Sequence, residues 1–386
     1  MDFNFNETQD ILKKTAKEFM ARYYSGAMVR ELEKDATGFR EDIWKEMARL
    51  GWLGWIIPEK YNGVGGDFMD IVVLFEEMGR ACFILPFFPT VALCSLPVLE
   101  YGSAEQKEDI LPRIAEGERV WTLAITETSA SYEASGIQLS ASLGEDDYVL
   151  NGVKLFVPYA NVADHLLVVA RTGSDEPSKG GITVFIVDSR SPGITTEIIP
   201  TVAHDKQCEL RFDNVRVSEK NILGNAGKGW DIVEFILQRA SILKCAEMLG
   251  GSQTAMDMAN DYAKERVQFG KPIGSFQAIQ HKLANMLIDV EGLRRLVYEA
   301  AWHASAGSPS LLLASMAKAK ANEVFRKTCL EAIKVHGAIG FTEELDLGLY
   351  FRRTWASGFA LGDTNFHRKR IADELERHEP LFSIRS

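Results

Sequence analysis

Apolar positions change their spacing twice along the chain. Over residues 7–24, ETQDILKKTAKEFMARYY, the residues Ile11, Leu12, Ala16, Phe19 and Met20 recur at helical intervals with charges between them. This predicts an amphipathic helix with those five on one buried face. FREDIWKEMARLGWLGWIIPEKYNGVGGD (39–67) predicts a further helix and a glycine-rich turn, in which Gly63, Gly65 and Gly66 are expected to supply positive φ. After Trp121 the period shortens. YVLNGVKLFV, DHLLVVAR, GITVFIVD, GITTEIIP and CELRFDNVRV are short β-branched runs separated by Gly, Pro, Asp and Asn. They predict an antiparallel sandwich or barrel of about seven to ten strands. NILGNAGKGW (221–230) reads as a linker, because its glycines lack the spacing of a phosphate loop. From Asp231 the helical period returns, and residues 311–341 predict a long helix stopped at Gly337. Helices, then strands, then helices imply an α+β multidomain protein rather than an alternating sheet. The expected domains are an N-terminal helical domain at 1–120, a middle β-sandwich or barrel at 121–225, and a C-terminal four-helix bundle at 226–386.

Composition narrows the function. The stretch Ala81–Leu99, ACFILPFFPTVALCSLPVL, has no charge and approaches the length of a membrane span. Pro86, Pro89 and Pro97 each remove a backbone donor, so the stretch is expected to form buried helix ends and a turn, with no membrane partner. A formal charge of -11 argues against a nucleic-acid surface. The N-terminus has no basic and apolar leader pattern. The five cysteines, Cys82, Cys94, Cys208, Cys245 and Cys329, are odd in number and scattered, which suits reduced thiols in the cytoplasm. The seven histidines form no metal-ligand pattern, and no metal is expected.

Four stretches resemble the acyl-CoA dehydrogenase family, in the family's order: LAITETSASYEASGI (123–137), LNGVKLFVPYANVADHLLVVAR (150–171), YAKERVQFGKPIGSFQAIQHKLANM (262–286) and AIKVHGAIGFTEELDLGLYFRRTWASGFALGDT (332–364). The third is the most specific in residue type and spacing. The resemblance implies an FAD flavoprotein acting on a coenzyme A thioester. A carboxylate takes the α-proton, while the β-hydrogen leaves to the flavin as hydride.

Carried over position by position, the resemblance implies that Arg266 and Phe269 reach FAD across a subunit interface, with Gln277 as a further polar contact. An arginine fork suits a pyrophosphate, whereas an ordinary surface ion pair is the alternative for Arg266. Ile125, Thr126 and Ser131 match flavin-holding positions. Phe156 and Val157 match the strand over the ring, and Pro158 replaces the usual threonine there. Lys334, Gly337 and Thr364 fall on the family's remaining cofactor segments, although Ala338 replaces a glycine. Tyr132, Arg239 and Leu361 are the expected substrate contacts. Arg239 meets either the coenzyme or a substrate carboxylate, or else forms a buried salt bridge.

The usual base position is Gly362, and the alternative base position is Ala240. Asp363, one residue late, is either an unusual catalytic base or the cap of the following helix. Glu247 is expected to be structural. The pattern most resembles the subunit of a heteromeric enzyme whose homologous partner carries the base (α2β2), with bulky, alicyclic, steroid-derived or dicarboxylic thioesters as substrates. Electrons would pass to an acceptor such as an electron-transfer flavoprotein. A self-sufficient homotetramer working as dehydrogenase, reductase or desulfinase, and a non-enzymatic acyl-CoA-binding scaffold, are the other readings.

Overall fold

The computed structural model describes residues 5–144, 147–173 and 180–378. Six helices come first: α1 (Glu7–Tyr23), α2 (Gly26–Lys34), α3 (Glu41–Arg49), α4 (Phe68–Arg80), α5 (Leu96–Tyr101) and α6 (Ala104–Ala115). Phe88–Ser95, just before α5, winds as a π-helix with Pro89 in its first turn. Among the described residues no helix is long and apolar enough to cross a membrane. Eight strands follow: β1 (Trp121–Ala124), β2 (Ser140–Leu143), β3 (Asp147–Pro158), β4 (His165–Arg171), β5 (Ile182–Asp188), β6 (Ile194–Ile199), β7 (Gln207–Ser218) and β8 (Ile222–Leu223). Next come the long α7 (Gly229–Glu265), a hairpin of β9 (Val267–Gln268) and β10 (Lys271–Pro272), and α8 (Gln277–Ser305), α9 (Leu311–His336), α10 (Leu347–Phe359) and α11 (Thr364–His378).

The chain packs as two compact units interleaved in sequence. One gathers residues up to Val29, Phe68–Phe83 and those from Ser241 onward; the other holds Arg30–Asp67 and Ile84–Ala240. In the first, helical unit, Asn6 opens α1 with a capping box, its Oδ1 accepting the Gln9 N–H at 2.9 Å while Gln9 Oε1 accepts the Asn6 N–H at 3.1 Å. Leu12, Ala16, Phe19 and Met20 are buried as expected, but Ile11 is 59% exposed. The buried stripe runs through Gln9 instead, whose Nε2 donates to Asp70 Oδ1 on α4 at 3.0 Å. Ile11 lies one residue, about 100° of helix rotation, off that stripe. Between α4 and α8, buried Glu76 accepts from the Tyr298 hydroxyl at 2.7 Å and pairs with Arg294. Burial pushes its carboxyl up, but Arg294, Tyr298 and Arg80 outweigh burial and hold it below the usual range.

In the other unit the sheet order is β6-β7-β3-β2-β4-β5-β8, with β1 paired to β4. Most pairs are antiparallel, as the sequence pattern suggests, but β1 runs parallel to β4 over Trp121–Ala124. The chain makes this pairing possible by placing all of β2 and β3 between them, the long connection that parallel neighbours require. The expected linker after Asn221 begins instead as β8, where Leu223 pairs with Val184. β4 and β5 are buried on both faces along most of their length. The π-helix is tied to β1 where Thr90 Oγ1 meets both the carbonyl (3.1 Å) and the N–H (3.2 Å) of Trp121. Of the three turn glycines, only Gly65 takes positive φ. Gly63 and Gly66 are there for space: a Cβ would lie 1.9 Å from Ile57 O and 2.2 Å from Trp55 Nε1, respectively.

Candidate functional site

In the sheet-bearing unit the chain leaves β1 through Ile125, Thr126 and Glu127, all buried. A buried ion pair fixes this run. Lys154 Nζ on β3 lies 2.7 Å from Glu127 Oε1 and 3.1 Å from Ile125 O. The same carboxylate accepts the N–H groups of Gln138 (2.8 Å) and Leu139 (3.0 Å), and the Leu155 N–H donates to Thr126 O at 2.8 Å. Burial pulls the Lys154 ammonium down to about 8, with the Glu127 carboxylate opposing it. Neither residue is among the sequence-derived candidates. The available signal was a lysine inside the apolar run LNGVKLFV, but its partner is 27 residues away.

Just beyond, β3 carries one extra residue. Lys154 pairs with Leu210, whereas Val157 pairs with Cys208, so the ladder bulges. Phe156 sits on the bulge with φ 53° and is 50% exposed, while the Val157 side chain is buried. The Val157 side chain is therefore not available to a ligand. Pro158 O accepts the Thr122 hydroxyl at 2.6 Å. Ser131 Oγ accepts the Glu133 N–H at 3.1 Å, and Tyr132 beside it is half-buried. At the start of α7, Arg239 is half-buried with its guanidinium 4.0 Å from the Phe235 ring centroid. The salt bridge weighed for it is not formed among the described residues.

In the helical unit α7 ends at Glu265 and the hairpin begins. Phe269 (φ 53°) and Gly270 (φ 79°) form its two-residue turn between Gln268 and Lys271. Two successive positive φ values make this a type I′ turn. Phe269 is 91% exposed, and Arg266 is exposed with no hydrogen bond or ion pair to its guanidinium among the described residues. Gln277 opens α8, exposed, one residue after Phe276, whose ring lies edge-on to Phe269 at 6.1 Å. His336, near Gly337, stacks on Tyr262 of α7 at 4.4 Å, joining the end of α9 to the helix that feeds the hairpin. Gly337 ends α9 with φ 68° and ψ −138°, a conformation reserved for glycine. Lys334 is engaged by Glu331 at 2.6 Å.

The turn between α10 and α11 holds the remaining candidates. Leu361 is buried at φ 61°. Gly362 has φ 107°, and a Cβ there would lie 2.2 Å from Phe366 Cδ1. Asp363 Oδ1 accepts the Phe366 N–H at 2.8 Å, which makes it the cap of α11, and Thr364 is that helix's first residue. Beneath the turn, fully buried Lys318 donates to Asn322 Oδ1 (2.7 Å), Ser357 O (2.9 Å) and Gly362 O (3.2 Å). Burial pulls it down to about 8. Ala240 is fully buried, and Glu247 is paired with Lys244 at 2.7 Å. Neither Gly362 nor Ala240, the two positions at which the sequence resemblance leads one to expect the base, is an acid.

Three family descriptions match in order: the acyl-CoA dehydrogenase N-terminal domain over residues 6–118, its middle domain over 122–215 and its C-terminal domain over 227–376. The chain is 33% identical over 385 residues to a probable acyl-CoA dehydrogenase, YngJ, of Bacillus subtilis, covering 97% of this chain and 100% of that one. It belongs to the acyl-CoA dehydrogenase family. The butyryl-CoA dehydrogenase structure from Megasphaera elsdenii superposes with a TM-score of 0.91 at 31% identity, over 98% of this chain and all of that one. A chain of the ChsE4-ChsE5 complex from Mycobacterium tuberculosis gives 0.89 at 26% identity, again over 98% and 100%. Acyl-CoA dehydrogenases are FAD-dependent oxidoreductases acting on a CH–CH bond of an acyl-CoA, and FAD is the cofactor here. The residues present fit it in kind: among the described residues Arg266 has an unpartnered guanidinium, a group suited to a pyrophosphate, and Phe156 and Phe269 each hold an aromatic ring outward, a group suited to planar rings.

Proposed function

We propose that this chain is one subunit of a heteromeric acyl-CoA dehydrogenase: it supplies FAD contacts, while a homologous partner subunit supplies the carboxylate that removes the α-proton. The observation that carries this reading is the α10–α11 turn. Gly362 has no room for a side chain, and Asp363 already accepts a backbone N–H as a helix cap. FAD supplies the hydride acceptor. Arg266 binds the cofactor's pyrophosphate, and Phe269 and Gln277 line the same segment. Ile125, Thr126 and Ser131 bound the flavin from the β1 loop, with the Lys154–Glu127 pair fixing that loop in place. Phe156 covers a ring face, and Val157 contributes backbone. Lys334, Gly337 and Thr364 are peripheral cofactor contacts, and Lys334 must first leave Glu331. Tyr132, Leu361 and Arg239 are each assigned as a substrate contact. The likeness to a chain of a two-protein complex supports the pairing. A bulky, alicyclic, steroid-derived or dicarboxylic thioester is the expected substrate, and an electron-transferring flavoprotein the expected acceptor.

Purifying the chain alone, and again with the dehydrogenase-like product of a neighbouring reading frame, tests this. The expected result is a pale protein alone, and a yellow complex with the partner that bleaches on adding an acyl-CoA. A chain that is yellow alone and bleaches without help overturns it.

A further inference from the structure

We propose that Arg239, Phe235 and Tyr101 form an oxyanion subsite for a carboxylate at the far end of the acyl group, so that the preferred substrate is the monothioester of a dicarboxylic acid. This deepens the functional reading above and rests on it. Phe235 and Arg239 are one helical turn apart on α7, and the guanidinium lies over the ring, 4.0 Å from its centroid. Tyr101, the last residue of α5, meets the same ring edge-on at 5.3 Å and 89°. All three side chains are half-buried.

The arginine has therefore given up part of its water without gaining a protein acceptor. Among the described residues no carboxylate or carbonyl lies within hydrogen-bonding or ion-pair distance of it. Burial pulls the guanidinium below its usual range, and the more distant Glu100 and Tyr101 restore only part of that loss. Stacking on Phe235 sets the plane of the fork and leaves its N–H edges to a ligand, and a planar carboxylate matches them two to two. The Tyr101 hydroxyl is a second donor. Burial raises its pKa, as does Glu100, so it stays protonated at neutral pH. The surrounding charge selects the anion. Glu100 and Asp231 both add negative charge felt at Tyr101, so beside the one cation a singly charged carboxylate is disfavoured less than a phosphate dianion.

The test is calorimetric titration of the FAD-loaded protein, with its partner subunit present if loading requires it. Two probe pairs of equal chain length are compared: glutaryl-CoA with pentanoyl-CoA, and suberyl-CoA with octanoyl-CoA. In at least one pair the carboxylate-ended thioester should bind about tenfold tighter or more, the usual size of a charge-assisted hydrogen-bonded contact. Arg239→Gln should bring that ratio close to one. Arg239→Lys should keep part of it, and Tyr101→Phe should reduce it by a few-fold. No preference in the wild-type protein overturns the proposal, a result that needs no variant to fold. A preference that survives Arg239→Gln also overturns it. An equal loss for both members of a pair overturns it too, since the arginine then serves the coenzyme. If none of the four thioesters binds, the subsite is overturned, while the functional reading still stands or falls on flavin loading and bleaching by an acyl-CoA.

Discussion

At Gly362 the backbone adopts φ 107°, and a side chain would begin 2.2 Å from the Phe366 ring, itself in the first turn of α11. Placing an acid at this position is therefore sterically costly. Gly362→Glu should destabilise the protein by at least about 2 kcal/mol through backbone strain and overpacking, read as a lower urea midpoint. It should produce no α-proton exchange from an acyl-CoA in D2O by the isolated chain. Asp363 gives the complementary experiment. Its Oδ1 accepts the Phe366 N–H, a role that asparagine can also fill. Asp363→Asn should keep both stability and the α-proton exchange of the assembled enzyme, whereas Asp363→Ala should lose about 1 kcal/mol of stability. Abolished exchange in Asp363→Asn, with folding intact, would make this residue the base after all.

The proposed cofactor contacts depend on two whole elements, the hairpin after α7 and the loop after β1. Phe269 holds a bulky side chain in left-handed backbone at 91% exposure, an arrangement that local energetics disfavour. Phe269→Gly should therefore stabilise the hairpin by about 1 kcal/mol or leave it unchanged, while weakening FAD retention measured by ultrafiltration. Retention as tight as wild type would remove Phe269 from the cofactor. In the sheet-bearing unit, Lys154→Met strands the Glu127 carboxylate in a buried site and should cost about 3–5 kcal/mol. The double variant Lys154→Met/Glu127→Leu should recover much of that stability. FAD should still leak from it, because Ile125 O and the N–H groups of Gln138 and Leu139 lose their common anchor. The family resemblance was legible in the RVQFG segment because its residue types are specific. The turn that thrusts Phe269 outward was not, since nothing in the letters Phe-Gly fixes φ at the first of them. The Lys154–Glu127 pair was hidden for a different reason: sequence periodicity describes neighbours within an element, and this contact joins two elements. The exposed Ile11 and the parallel β1–β4 pairing escaped for the same cause. One depends on which flank of α1 meets α4, and the other on a crossover that local alternation does not encode.

Across the whole molecule, the order of helical, β and helical segments was readable from two changes of hydrophobic period. Their interleaving into two compact units was not, because α4 joins the unit of the C-terminal helices through side chains far away in sequence. That helical unit also holds an acid-sensitive group in a place no pattern marks. His367 on α11 is 1% exposed; its Nε2–H donates to Leu361 O at 3.0 Å, and its Nδ1 has no partner in the buried surroundings. Burial pulls the imidazole down to about 3, and the Lys318 charge adds to the shift. In the unfolded chain the same ring takes a proton near pH 6.5. Below that pH the unfolded state binds a proton that the folded state refuses. Stability from this group is thus fully present above about pH 6.5 and is lost as the pH falls toward 3. At about 1.4 kcal/mol per pH unit, moving from pH 6.5 to 4.5 should cost about 2–3 kcal/mol. His367→Gln keeps a donor for Leu361 O and removes the titration. Its urea midpoint should therefore fall distinctly less over that interval than the wild-type midpoint, with the carboxylates acting alike on both proteins. Parallel decline of the two midpoints would mean that the folded protein accepts the proton at His367.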